Sequence, residues 1–395
     1  MRKVDEIKKE SITDIPEEIS FEEKEEGGKP LLPGMKYYRL DNIKEKNAKY
    51  NVIYGERSNG KTYAVIEEGL KQYHENKTKM AIIRRWEDDF KKKRGQNMFN
   101  GHAKNGLIKK YTDGEWTDVY FQSMMWFFCR WDGDERITSP EPFAYAFSLT
   151  GVEHDKSTSY PDIATILFDE FLTRKSPLPD EFVLFMNVLS TIIRDRDNVT
   201  IYMCGNTVNQ YSPYYNEMGL TNVKKQKQGT IDVYEYGESG LRVAVEYSDS
   251  PSKKGKKSDV YFAFDNPKLK MITSGAWEME IYPHRPVKFV PKDIVFKYFV
   301  EFDGELLQCE VVVKDKNFFT FVHRKTGEIK YPDKDLFFCP QHDPRPNWRR
   351  KITKPHDELG KKIYNFFLID KVFYQDNPTG EVMRNYINWC KKEGL

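Results

Sequence analysis

From Tyr37 onward, short apolar runs alternate with amphipathic stretches. Tyr50-Asn51-Val52-Ile53-Tyr54 and Met80-Ala81-Ile82-Ile83-Arg84 read as buried strands, with an amphipathic helix expected between them from Tyr63 to Tyr73. Phe143 to Leu149, Ile163 to Phe168 and Val199 to Cys204 are further strand-like runs, and Phe182 to Ile193 has helical periodicity. Continuous apolar runs of this length suit strands covered on both faces, so the alternation predicts an α/β fold on a mostly parallel sheet. Residues 86–125 read as polar, with the basic run Lys91-Lys92-Lys93-Arg94.

Around residue 222 the texture changes. Basic clusters at 224–229 and 251–257 flank a stretch of mixed signals, and residues 223–283 are expected to be a linker region with some ordered structure. Beyond it, Ile294 to Phe302, Leu306 to Val313 and Asn317 to His323 read as strands, joined by turns at Asp303-Gly304 and near Thr326-Gly327. Helix-like segments follow at 356–373 and 380–392, which predicts a smaller α+β domain over 284–395. At the other end, residues 1–34 are charged and poor in aromatics, as expected of a mobile or loosely helical arm. The main domain is then expected over 35–222.

A chain of 395 residues with 39% hydrophobic and 31% charged side chains can bury a large core and keep wide wet surfaces. No apolar stretch is long enough for a bilayer, and the start Met-Arg-Lys-Val-Asp-Glu lacks a signal-peptide pattern, so a cytosolic protein is expected. The five cysteines are scattered without a C-x-x-C pair, and the seven histidines show no metal-ligand spacing. Net charge is only +2, which by itself implies no strong adhesion to nucleic acid. Its distribution is uneven, because residues 1–29 carry six basic and ten acidic side chains.

The chemistry concentrates in Gly55-Glu56-Arg57-Ser58-Asn59-Gly60-Lys61-Thr62, which fits G-x-x-x-x-G-K-[ST] at every fixed position, with Tyr63 next in the expected helix. Gly55 and Gly60 let the backbone N–H groups turn toward phosphate oxygens, Lys61 reaches the outer phosphates of ATP, and the Thr62 hydroxyl is a Mg²⁺ ligand. Strand, loop and helix N-terminus together make an anion site. The run Ala164 to Phe168 ends in Asp169-Glu170: Asp169 is the expected metal-holding carboxylate and Glu170 the candidate base for an attacking water. Such a pair favours the ATPase class that keeps an extra strand between loop and carboxylate, and the stretch between Thr62 and Asp169 leaves room for it. Neither a lid arginine cluster nor an N-K-x-D guanine motif is present. Arg194, with Arg196 in reserve, is expected on the same sheet edge as the carboxylates and is a candidate trans-acting finger; surface salt bridges with Asp195 and Asp197 are the plainer reading. Asn206, after the strand that ends at Cys204, is the candidate coupling residue, and Lys156 in a polar loop is the candidate DNA contact or an ordinary solvated lysine.

The set G-x-R-x-x-G-K-[ST], Lys156-Ser157, Tyr160-Pro161, Thr165 through Phe171, Arg194-x-Arg196, Arg84-Arg85 and Asn206-Thr207-Val208 through Pro213-Tyr214 resembles the DNA-encapsidation ATPases of phi29-like tailed bacteriophages. The resemblance spans about residues 36–220. It implies an ATP- and Mg²⁺-dependent motor that moves double-stranded DNA into a prohead, working in the host cytoplasm as a homomeric ring, pentameric in the family, on the portal. In some members a structural RNA bridges motor and portal. It also implies a C-terminal domain like a vestigial RNase-H-like nuclease. The chain departs from the family in its acidic arm, in extra residues around 91–135 and in Glu87, which stands where the family has a lysine. Asp303, Glu305 and Asp335 read better as turn residues than as a nuclease cluster. A helicase or replication ATPase of the same fold, or a large terminase with an active nuclease, is the alternative.

Overall fold

The computed structural model describes residues 37–91, 93–151, 159–175, 177–237, 239–249 and 276–392; the acidic arm, Lys156 and much of the stretch read as linker lie outside them. In chain order the first unit holds α1 (Asp41–Lys44), β1 (Tyr50–Gly55), α2 (Lys61–Asn76), β2 (Lys79–Arg84), α3 (Lys93–Asn97), α4 (Asn100–Lys104) and α5 (Leu107–Tyr111). Next come β3 (Asp118–Gln122), β4 (Met125–Asp132), β5 (Glu135–Thr138), β6 (Ala144–Ser148), β7 (Ile163–Asp169), α6 (Glu181–Ile193), β8 (Thr200–Asn206) and α7 (Pro213–Glu217). It closes with β9 (Thr230–Tyr236) and β10 (Leu241–Tyr247). These strands form one ten-stranded sheet in the order β3-β4-β6-β2-β7-β8-β1-β10-β9, with β5 paired to β4.

From β6 through β10 in that order every neighbouring pair is parallel, and antiparallel partners flank this block at both margins. The expected α/β class is therefore what the chain adopts. Alternate side chains of each central strand enter separate cores. Val52 and Tyr54 of β1 join Phe168, Phe185 and Val188 on the α6 face, while Ile53 joins Ile66, Leu70 and Ile82 on the α2 face. Each such fully buried side chain stabilises the fold by about 1.5–3 kcal/mol, which explains why these strands read as unbroken apolar runs.

Three expectations need correction. The strand between loop strand β1 and carboxylate strand β7 is β8, which follows the carboxylates in sequence; the residues between Thr62 and Asp169 supply β2, a helical insert and hairpins instead. Inside the stretch read as polar, residues 118–122 form β3, which pairs as a hairpin with β4 just beyond it; the short apolar run of β3 is bracketed by Asp118 and Gln122, and only Val119 of it is fully buried. Likewise β9 and β10 fall inside the region read as linker, yet β10 pairs in parallel with β1, so the first sheet runs on to Tyr247. The half-exposed alternation of β9 is that of a marginal strand, and the basic clusters on either side give the segment the texture of a linker.

The C-terminal unit is the expected smaller α+β body: β11 (Ile294–Phe302), β12 (Glu305–Lys314), β13 (Asn317–Arg324), β14 (Leu336–Phe338), β15 (Trp348–Arg349), α8 (Glu358–Leu368), β16 (Val372–Tyr374) and α9 (Asn377–Lys392). Its sheet order is β15-β14-β11-β12-β13-β16, an antiparallel meander with parallel strands on both sides. Val382, Met383 and Tyr386 of α9 pack on Tyr298, Val300 and Leu307. Asp303 pairs with Lys224 at 2.7 Å and Glu305 with Arg324 at 3.0 Å. All five cysteines are buried.

The two units meet at Glu381 of α9, only 3% exposed at its side chain, whose carboxylate takes Arg174 from the loop after β7 at 2.8 Å. The same carboxylate accepts from the Glu280 N–H at 2.6 Å, the Tyr282 hydroxyl at 3.2 Å and Arg384 at 2.8 Å. Nearby, Asn209 Nδ2 donates to Asn385 Oδ1 at 3.0 Å. Removing this carboxylate orphans several donors at once. Glu381→Ala is expected to cost about 2–4 kcal/mol of stability, read by urea unfolding. Glu358→Ala, which removes an exposed helix-surface pair with Lys361, should change little, and equal effects of the two would refute the junction's importance.

Candidate nucleotide site

Parallel register brings the C-terminal ends of β1, β8, β7 and β2 to one edge of the sheet: Gly55 lies opposite Asn206, Cys204 opposite Asp169, and Phe168 opposite Ile83. In open α/β sheets such an edge is where ligands sit. Beyond β1 the chain turns through the glycine loop into α2. Gly60, the N-cap of α2, has φ +96°, a conformation that strains any residue with a Cβ. At Gly55 a Cβ would lie 2.1 Å from Ser248 Oγ, because the chain leaving β10 packs against the loop. Asn59 Nδ2 donates to that hydroxyl at 3.0 Å.

Lys61 is buried at the start of α2, and its ammonium donates to the Glu56 carbonyl at 2.7 Å and Asn59 Oδ1 at 3.1 Å. Burial pushes its pKa down to about 8, against the opposing pull of neighbours that include Asp169 and Glu56. The next residue, Thr62, donates its hydroxyl to Asp169 Oδ1 at 2.7 Å across 107 positions of chain. Asp169 is buried at the end of β7, and its second oxygen accepts from Arg84 of β2. The same guanidinium meets Glu170 Oε2 at 3.1 Å. Glu170 has a left-handed backbone, φ +57°, and a side chain 61% exposed, so its carboxylate faces solvent beside the buried Asp169. Asn206 ends the strand between loop and carboxylates, and Thr207 just after it donates its N–H to the Gly55 carbonyl at 3.2 Å.

Several predicted residues sit elsewhere. Arg57 turns outward to Glu278, with N···O distances of 3.1–3.2 Å. The Tyr63 ring stacks on His102 of α4, with centroids 3.9 Å apart, and its hydroxyl accepts from Asn105. Arg194 was expected on the carboxylate edge, and that is corrected: α6 starts beside the carboxylates but ends at the opposite edge. Arg196, two residues on, donates to the carbonyls of Tyr160, Pro161 and Ile163 where β7 begins, and to Ile192 and Ile193. Seven residues of β7 separate that end from Asp169, about 20 Å. Arg194 therefore cannot serve a nucleotide on its own chain, and Arg196, its guanidinium filled by backbone acceptors, is a staple rather than a reserve finger. Lys156 lies outside the described residues.

Sequence reasoning missed Arg84, Ser248 and Glu278 as parts of this site. For Arg84 a signal existed: it ends a strand-like apolar run and belongs to the Arg84-Arg85 pair of the family resemblance. Ser248 and Glu278 carry none, since only the placement of β10 and the return of the chain at 276–280 bring them near the loop.

The fold is similar to that of two solved phage assemblies. One is described as the Phi-28 gp11 DNA packaging motor, at a TM-score of 0.51 and 17% identity, covering 91% of this chain and 99% of that one. The other is the bacteriophage Phi-29 viral genome packaging motor assembly, at 0.51 and 18%, covering 88% and 96%. By sequence the chain is 27% identical over 173 residues to the DNA packaging protein of Bacillus phage B103, covering 43% of this chain and 48% of that protein. It is 24% identical over 168 residues to the DNA packaging protein of Bacillus phage phi29, covering 42% and 45%. The match thus spans about half the length of these curated relatives. The model of the podovirus DNA encapsidation protein (Gp16) family matches residues 34–256, more than half of the chain, and the chain belongs to that family.

Proposed function

We propose that this chain is an ATP-driven motor that moves double-stranded DNA into a phage prohead, acting as a homomeric ring on the portal in the host cytoplasm. One observation carries the catalytic part of the reading: the 2.7 Å contact that closes Thr62 of the phosphate loop onto Asp169 of the carboxylate strand, with Glu170 adjacent. A hydroxyl and a carboxylate so close are an oxygen pair suited to a hard cation, and Thr62 and Asp169 would hold Mg²⁺, whose chemistry is to neutralise phosphate charge. Lys61 and the loop N–H groups bind the phosphates. Glu170, at the solvent-facing end of β7, takes the proton of the attacking water. Membership of the encapsidation family supports DNA as the translocated polymer, and the packaging names of the relatives support the prohead as its destination.

Arg194 lies at the sheet edge away from its own carboxylates, so any nucleotide it serves belongs to a neighbour, and it is assigned to the adjacent subunit's site in the ring. Asn206, between loop and carboxylates, is assigned to coupling, and Lys156 to DNA contact. No helix of the described residues is long and apolar enough to cross a membrane.

Lys61→Ala is expected to abolish ATP hydrolysis, and Glu170→Gln to keep nucleotide binding while turnover falls on the order of 10²–10⁴-fold. Near-normal turnover in Glu170→Gln would refute the base. DNA-stimulated hydrolysis without duplex unwinding supports a packaging motor, whereas unwinding by the purified ring would favour a helicase. Arg194→Ala should bind ATP yet hydrolyse it slowly, and mixing it with Glu170→Gln should restore part of the activity at interfaces that pair an intact Glu170 with an intact Arg194. No rescue where rings demonstrably assemble would exclude the trans role.

Acidity supplies an independent check. Free Lys61 loses its proton near pH 8, and bound phosphate favours the charged form, so at pH 8.5–9 nucleotide binding should take up protons. Affinity should accordingly weaken as pH rises through about 8. Calorimetric titrations in two buffers of different ionisation enthalpy will detect the uptake, which Lys61→Met should remove.

A further inference from the structure

We infer that Arg85 is a positioning residue for catalysis: it holds Glu170 in its reactive orientation by grasping the backbone on which that side chain is mounted. The inference rests on the assignment of Glu170 as the base. Arg85 follows the last residue of β2 and is buried. Its guanidinium makes a two-pronged contact with Glu181, Nε to Oε2 at 2.9 Å and Nη2 to Oε1 at 2.8 Å. The remaining donors reach the carbonyl of Glu170 at 3.2 Å and that of Phe171 at 2.8 Å. Glu181, itself only 2% exposed, also accepts from the Leu178 N–H at 2.6 Å and the Tyr214 hydroxyl at 3.0 Å. It opens α6, where a negative charge also meets the positive end of the helix dipole.

Buried ion pairs are a poor device for stability alone, because desolvation offsets their attraction. Here the pair is spent on the two peptide groups at the left-handed turn of Glu170. Successive strand residues point to opposite faces. The left-handed backbone of Glu170 breaks that alternation, and the carboxylates of Asp169 and Glu170 converge on one guanidinium, that of Arg84. A left-handed conformation is unfavourable for a residue with a Cβ, so it persists only where its surroundings hold it. The hooks on the Glu170 and Phe171 carbonyls hold it from one side, and the Phe171 N–H, donating to the Cys204 carbonyl at 3.3 Å, from the other. Only a planar fork can serve Glu181 and two carbonyls together, so lysine is not an equivalent.

The test measures ATP turnover, nucleotide affinity and thermal unfolding of Arg85→Lys. A base displaced by about 1 Å loses on the order of 10²-fold in rate. A fall of roughly 10- to 100-fold in kcat is therefore expected, with affinity for a fluorescent ATP analogue within about threefold, since the Lys61 and Thr62 contacts are untouched. In a Glu170→Gln background, Arg85→Lys should lower the residual rate no further, because it acts only through that side chain. Full kcat in Arg85→Lys, a parallel loss of kcat and affinity, or a further drop in the double variant would overturn the inference. Should Arg85→Lys not fold, Glu181→Gln decides: a reduced kcat at preserved affinity supports the role and an unchanged kcat overturns it. Normal turnover in Glu170→Gln would sink the base and this inference together; its loss there with full kcat in Arg85→Lys would sink only the latter.

Discussion

Parallel pairing of β1, β8, β7 and β2 is the constraint from which the rest follows. In parallel register all four strands deliver their C-terminal residues to one edge, so Gly55, Asn206, Asp169 and Arg84 arrive there from positions far apart in the chain. A one-residue slip of β7 would turn Asp169 away from Thr62 and Arg84 and send its apolar neighbours to the wrong core. The two cores on either face of the sheet therefore fix the chemistry as firmly as they fix the fold.

Charge at that edge is dense, and the buried Lys61, Asp169 and Glu181 are answered, while Arg84 Nε makes no hydrogen bond. Lys61 is held by carbonyl and amide oxygens, Asp169 by Thr62 and Arg84, and Glu181 by Arg85, Leu178 and Tyr214. Low local dielectric makes a half-answered group costly, which favours complete networks or none. The exception in exposure is Glu170, the group assigned to meet water.

How much of this was legible in the sequence varied with the physics behind each element. The glycine loop and β7 with the carboxylates at its end were readable because their residue types are dictated largely by local demands, a left-handed turn at Gly60 and a strand buried on both faces. The marginal strands β3 and β9 were not, since polar residues bracket or interrupt their short apolar runs. Order within the sheet was misjudged because sequence proximity does not set it: β8 inserts between β1 and β7 although it comes after both. The edge on which Arg194 lies follows from the direction of α6, which spacing alone did not reveal. Partners such as Ser248 and Glu278 depend on long-range return of the chain and leave no local trace.

Three peptide segments converge on the single carboxylate of Glu381: the loop after β7 through Arg174, the stretch 280–282 through a backbone N–H and a hydroxyl, and α9 itself through Arg384. Arg174 also donates to the carbonyl of Glu278, the residue whose side chain holds Arg57 of the phosphate loop. In mechanical terms this is a shared anchor with short, stiff tethers. A load applied to the C-terminal sheet meets two paths, one ending beside the carboxylates and one ending on the glycine loop through the half-exposed Arg57–Glu278 pair. In any device that turns a local chemical event into displacement, the compliance at such a joint sets how much of the stroke survives the passage between its parts.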